Sequence, residues 1–206
     1  MFRTSVLLAL AYTLCASAQD KPTLKLDKRD LTVLGVTIGV SAQSDVERKI
    51  GKAPIFRISE HEGSDEAICY RSTPEADNTV LAFYFGALGA WTDVTRISIS
   101  TSKALRFPVA RCKPSGLISH DVVFLRGLRL GATPAEVMRV LGAPSRSTER
   151  TLSYYVSHKC PRELLAKKAG GEPDTDAPCE IVDSVDAQFG SNVGLEYVSF
   201  YHFLDR

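Results

Sequence analysis

Histidine, cysteine and the carboxylates carry most of the chemical potential of this chain, and their spacing decides what they can do. There are four histidines, His61, His120, His158 and His202, and five cysteines. A zinc site gathers such residues in close pairs of the C-x-x-C or H-x-x-H kind. Neither spacing occurs, so no metal ligand set is expected. His120 and Asp121 are chain neighbours, but adjacency does not aim one side chain at the other. The four histidines read as surface or turn residues, with His202 at a solvated edge. No G-x-S-x-G, H-E-x-x-H, P-loop or dinucleotide fingerprint is present. Glu60/Glu62 and Asp174/Asp176 are carboxylate pairs in loop-like sequence, where spacing alone does not separate a glycosidase pair from solvated charge. No catalytic residue and no cofactor is expected.

The cysteines point to a compartment. Arg3 opens a short positive region, residues 6–14 are apolar, and Ala16-Ser17-Ala18 has the small-x-small pattern of a signal-peptidase site. Cleavage is expected before Gln19, making residues 1–18 a signal peptide. A rival reading makes Cys15 a lipidated residue, but Leu14 is not the small residue that such a site wants before the cysteine. Cleavage would leave 188 residues and remove Cys15. Cys69, Cys112, Cys160 and Cys179 then form an even set in an oxidising space, which reads as two disulfides. That leaves no free thiol for a nucleophile. Three pairings are open. No later segment approaches a membrane span in length. Without Arg3 the chain holds 24 Lys+Arg against 24 Asp+Glu, so it carries no charge footprint for nucleic acid or anionic lipid.

A self-match at a spacing of about 91 residues supplies the positioning elements. Leu34-Gly35-Val36-Thr37-Ile38-Gly39 is followed by Asp45-Val46 and, further on, Ile50-Gly51 and Pro54. Arg126-Gly127-Leu128-Arg129-Leu130-Gly131 is followed by Glu136-Val137, Leu141-Gly142 and Pro144. Thr133 reads as a helix N-cap, Pro134 as the first helical residue, and Glu136 completes a capping box. Ser41 or Ser44 can cap the first helix. Val46/Ile50 and Val137/Leu141 give each short helix its apolar stripe. Gly51 and Gly142 suit a left-handed C′ position, and Pro54 and Pro144 stop resumption.

Strands are expected after each helix, at 55–59, 67–71, 80–85 and 94–100, and at 145–149, 152–158, 181–189 and 195–203. The division that results is an N-terminal flexible arm at 19–30, a first unit at 31–102, a linker at 103–122 and a second unit at 123–206. A loop insertion occupies 161–178 of the second unit. The repeat favours one bridge inside each unit, Cys69–Cys112 and Cys160–Cys179.

The G-x-[ST]-x-x-[DE]-V-x-x-[IL]-G-x-P entry followed by a meander resembles the SmpA/OmlA family, which includes the small lipoprotein of outer-membrane barrel assembly. Two units in tandem are similar in plan to the β-lactamase inhibitor proteins. The resemblance covers 39–54, 131–144 and the strand count. It implies helices on one face of an antiparallel sheet, and a role in protein–protein binding.

The expected fold is α+β: two copies of a helical segment followed by an antiparallel β-meander. Alternation along strands turns Leu81, Phe83, Phe85, Ile97, Ile99, Val198 and Phe200 towards the helices. Tyr84, Arg96, Gln188, Tyr197 and Tyr201 then fall on the other face, with Trp91 in a nearby turn. Tyrosine-rich faces are common at interfaces, and cross-strand packing on a half-wet sheet is the plainer reading. Three functions are left open: an exported, disulfide-stabilised, non-enzymatic protein-binding protein; an envelope accessory factor; or a hydrolase or small-ligand binder whose site is assembled from scattered residues.

Overall fold

The computed structural model describes residues 24–60, 63–74, 77–86, 93–102, 104, 108–159 and 180–205. The signal segment with Cys15, residues 19–23, His61, Trp91, Cys160, Cys179 and the 161–178 insertion lie outside the described residues.

The chain opens with a small hairpin, β1 (Thr32–Val33) and β2 (Val36–Thr37), followed by helix α1 (Gln43–Ile50). Four strands follow: β3 (Ile55–Glu60), β4 (Gly63–Arg71), β5 (Thr79–Phe85) and β6 (Val94–Thr101). A connecting segment contributes β7 (Lys113–Pro114). Helix α2 (Pro134–Leu141) precedes β8 (Arg146–Ser147), β9 (Thr151–Lys159), β10 (Glu180–Phe189) and β11 (Leu195–Asp205).

The expected α+β class is corrected by this architecture. The protein is mostly β, and among the described residues its two α-helices have eight residues each. Two separate helix-plus-meander units do not form. A single nine-stranded sheet runs β3-β4-β5-β6-β11-β10-β9-β8, with β7 added in parallel to β4. The physical cause is the antiparallel pairing of β6 with β11 through Arg96↔Tyr201, Ile97↔Phe200, Ser98↔Ser199, Ile99↔Val198 and Ser100↔Tyr197. Backbone groups that would otherwise be two open edges are satisfied there.

Registers on the two sides of this seam correspond. Tyr84↔Arg96, Ala82↔Ser98 and Val80↔Ser100 have counterparts in Gln188↔Tyr197, Asp186↔Ser199 and Ser184↔Tyr201. Both pairings shift register at the same point, between Tyr84 and Phe85 and between Gln188 and Phe189. The loops before the helices are anchored alike. Gly39 donates to the Val94 carbonyl and Val94 to that of Ser41; Gly131 donates to Leu195 and Leu195 to Ala132.

The helices end and begin for local reasons. Thr133 accepts from the Glu136 amide, and Glu136 returns the bond from the Thr133 amide at 2.7 Å. That bond holds the Glu136 carboxyl below its usual range. In α1 the capping residue is Ala42, not Ser41 or Ser44; its amide donates to Asp45 Oδ2 at 2.9 Å, lowering that carboxyl too. Ser41 accepts instead from the Thr37 amide. Gly51 and Gly142 stop the helices at φ 110° and 87°, with ψ 154° and −162°. This is an extended positive-φ region open essentially to glycine, not the left-handed helical one expected.

One main core lies between the helices and one face of the sheet. Val46, Ile50, Val137 and Leu141 meet Ile68, Phe83, Ile97, Phe200 and Val185 there. The expected arm at 19–30 is packed where it is described: Leu24 and Leu26 join this core, and buried Asp30 receives Arg126 Nε at 3.0 Å. Arg126 also reaches the Lys25 carbonyl. On the opposite face Ala67, Cys69, Val80, Ala82, Tyr84 and Cys112 form a second small core, with Phe56 and Val109 against it.

Tyr70 and Tyr154 hold corresponding places on β4 and β9, opposite Leu81 and Val185. Tyr70 donates to the Gly51 carbonyl at 2.6 Å, whereas the Tyr154 hydroxyl is buried without a partner among the described residues. Burial pushes both phenols up to about 12.

Two outcomes follow from this packing. The expected Cys69–Cys112 bond is present and closes a 43-residue separation. Replacing both cysteines by alanine should cost about 4 kcal/mol by loop-closure entropy, read by urea denaturation; a loss under about 1 kcal/mol would contradict it. Spectrophotometric titration should hold Tyr70 and Tyr154 back to about pH 12. The unfolded chain releases those protons near pH 10, so stability should fall as pH rises from 10 towards 12. Tyr70→Phe and Tyr154→Phe together should flatten that fall.

Candidate functional site

Three neighbouring cross-strand rows cover the face away from the helices. The first runs Ala67–Tyr84–Arg96–Tyr201–Ser184–Tyr155. The second, two residues along each strand, runs Cys69–Ala82–Ser98–Ser199–Asp186–Ser153. The third runs Arg71–Val80–Ser100–Tyr197–Gln188–Thr151. Five of the six expected binding residues fall on this one face, and Trp91 lies outside the described residues.

They are not equally available. Tyr84 was expected on an open surface but is only 5% exposed. The Cys69–Cys112 bond draws residues 108–112 over it, so the face across β4 and β5 is covered. Arg96 stacks on the Tyr84 ring with its guanidinium carbon 3.7 Å from the centroid, and the Tyr84 hydroxyl lies 3.2 Å from Ser98 Oγ. This pair is structural, a cation–π contact with a polar tether. Gln188, Tyr197 and Tyr201 are partly exposed.

Tyr155 is not among the residues expected from the sequence, where the parity of β9 is not assigned. It is 55% exposed and shares a row with Tyr201 across Ser184. Its backbone is held by Ser145, whose hydroxyl accepts from the Tyr155 amide at 3.1 Å and donates to its carbonyl at 3.2 Å. The accessible surface is therefore on β9–β11: Tyr155, Tyr197 and Tyr201 around Ser153, Thr151, Asp186 and Gln188. Rigid amphipathic rings among small hydrogen-bonding side chains make up the usual chemistry of a protein-recognition surface.

A second cluster lies on the core side of the same three strands. His202 stands directly opposite Asp183, and His158 is diagonal to it. His202 Nδ1 lies 2.6 Å from Asp183 Oδ1, and His158 Nε2 lies 3.7 Å from Oδ2. The Asp183 side chain is 4% exposed, and His158 Nε2 is buried without a hydrogen bond among the described residues. Both histidines were expected as plain surface or edge residues, and the carboxylate between them was not singled out. Only the β9–β10–β11 register brings the three together. A carboxylate holding an imidazole through Nδ1 is an orienting device used in general-base catalysis. Among the described residues, however, no serine or cysteine side chain hydrogen-bonds to either ring, and no group of three or more His, Cys, Asp and Glu is placed to hold a metal ion. His120, by contrast, is exposed, with Nδ1 3.5 Å from Asp77 and Nε2 3.5 Å from Asp121.

The unequal distances set an expected outcome. Asp183→Ala removes the acceptor of a short buried bond and should cost about 1–3 kcal/mol. His158→Ala gives up only a long contact and should cost under about 1 kcal/mol by the same scale. Equal losses in thermal unfolding would show that His158 is bonded as tightly as His202.

No family model, no curated protein and no solved structure matches this chain.

Proposed function

We propose that this is an exported, disulfide-stabilised, non-enzymatic protein-binding protein, and that it presents the β9–β11 face to another protein of the cell envelope or its surroundings. The supporting observation is the set of three partly or well exposed tyrosines, Tyr155, Tyr197 and Tyr201, arranged around short polar side chains on one rigid sheet. The signal-like start, the expected cleavage before Gln19 and the buried Cys69–Cys112 bond agree with passage through an oxidising compartment. Among the described residues no helix is long and apolar enough to cross a membrane.

A photocrosslinker placed at Tyr155 in cells is the test, with Met138 on the exposed side of α2 as the control position. A discrete adduct is expected from Tyr155 and not from Met138. It should disappear with Tyr197→Ala plus Tyr201→Ala while thermal unfolding stays cooperative. Capture unchanged by those two substitutions, with stability lost instead, would make the tyrosines structural and end the proposal.

The His202–Asp183–His158 cluster favours a second reading, a hydrolase or small-ligand site assembled from scattered residues. A chromogenic ester or phosphoester turned over by the wild type and not by Asp183→Asn would support it. No turnover by either would remove it.

A further inference from the structure

The two sides of the sheet differ at corresponding positions in one consistent way. The register equates Ala67, Cys69, Val80, Ala82 and Tyr84 with Thr151, Ser153, Ser184, Asp186 and Gln188. The first set is apolar and buried beneath the chain's own segment 108–112. That segment continues into β7, which lies along the edge of β4 with Tyr70↔Lys113 and Arg71↔Pro114, and the Ser115 amide donates to the Arg71 carbonyl. The second set is polar at every position. Arg71 corresponds to Tyr155, whose backbone is satisfied by a single hydroxyl, that of Ser145, where Arg71 has a strand. Beyond it, β8 reaches only as far as Ser153 along β9.

We infer that the β9–β10 face takes an extended, basic polypeptide segment of the partner protein, laid as residues 108–115 are laid on β4–β5. This rests on the protein-binding reading of the same face and names what occupies it. The internal segment shows that the corresponding strand β4 accepts such a segment over its face and along its edge. Polar replacements exclude an apolar cover, because Asp186 and Gln188 would lose water without gaining partners. The charge follows from Asp186. It sits in the middle row between Ser199 and Ser153, partly buried, and among the described residues no cation pairs with it. A lysine or arginine of the segment would supply that pair, and Thr151, Ser153 and Gln188 would meet its backbone or polar side chains.

Disulfide trapping tests the geometry without knowledge of the natural partner. Ser153 corresponds to Cys69, which in the first half bonds Cys112 of the overlying segment. The probe is the peptide Pro-Val-Ala-Arg-Cys-Lys-Pro-Ser, the sequence of residues 108–115. It is mixed in glutathione buffer with the full mature chain carrying Ser153→Cys or, as control, Ser157→Cys, an exposed position on the same strand. Mixed disulfide at position 153 is expected to exceed that at 157 about tenfold. It should drop severalfold when Asp186→Asn is added, or when both basic residues of the peptide are replaced by Glu. Equal trapping at 153 and 157 would overturn the inference. So would a preference for 153 that ignores both charge changes. If the Tyr155 crosslink depends on Tyr197 and Tyr201 but the peptide shows no preference, the binding face stands and its basic, extended occupant is rejected.

Discussion

The pairing of β6 with β11 is the constraint on which the rest of this structure depends. It joins residues roughly a hundred positions apart by five register pairs, and it turns two meanders into one sheet with one main core. The seam is built for close approach. Ser98 and Ser199 face each other on one side, while Ile97 meets Phe200 and Ile99 meets Val198 on the other. The apolar side supplies the burial that offsets closing so long a loop. The small polar side lets Arg96 and Tyr201 lie across from one another without crowding. Without this seam each half would carry an open strand edge beside a core too small to hold it.

Local signals were legible in the sequence to the extent that they were local in physics. Pro134 and Glu136 mark the start of α2, and Gly51 and Gly142 mark both helix ends, because caps depend on residues within one turn. Strand parity was legible for Leu81, Phe83, Ile97, Ile99, Val198 and Phe200, since alternation is a property of the chain itself. The class was not, because eight-residue helices read as strongly as longer ones when their punctuation is clear. The burial of Tyr84 depends on a segment drawn in by Cys112, far along the chain. The Asp183 cluster needs three strands in register before it exists. The packing of Leu24 and Leu26 depends on Arg126, about a hundred residues away.

The contrast between the halves bears on how a scaffold acquires a binding surface. One side of the sheet is closed by its own connector, fixed through a buried disulfide, and contributes rigidity. The other keeps the same backbone geometry but places hydroxyl, amide and carboxylate groups where the first has methyls and sulfur. Under the proposed protein-binding reading, stability and recognition are separated on one continuous sheet, which limits the loss of stability that usually attends a polar functional surface.

The clasp between Arg126 and Asp30 also sets a boundary on maturation of the N-terminus. Leu24 is 4% exposed and the Lys25 carbonyl is held by the guanidinium. A protease that trimmed the chain past that point would bare apolar core and remove the Lys25 carbonyl that Arg126 holds. Any processing compatible with the fold therefore has to cut upstream of Leu24, and the intact second half itself enforces that limit.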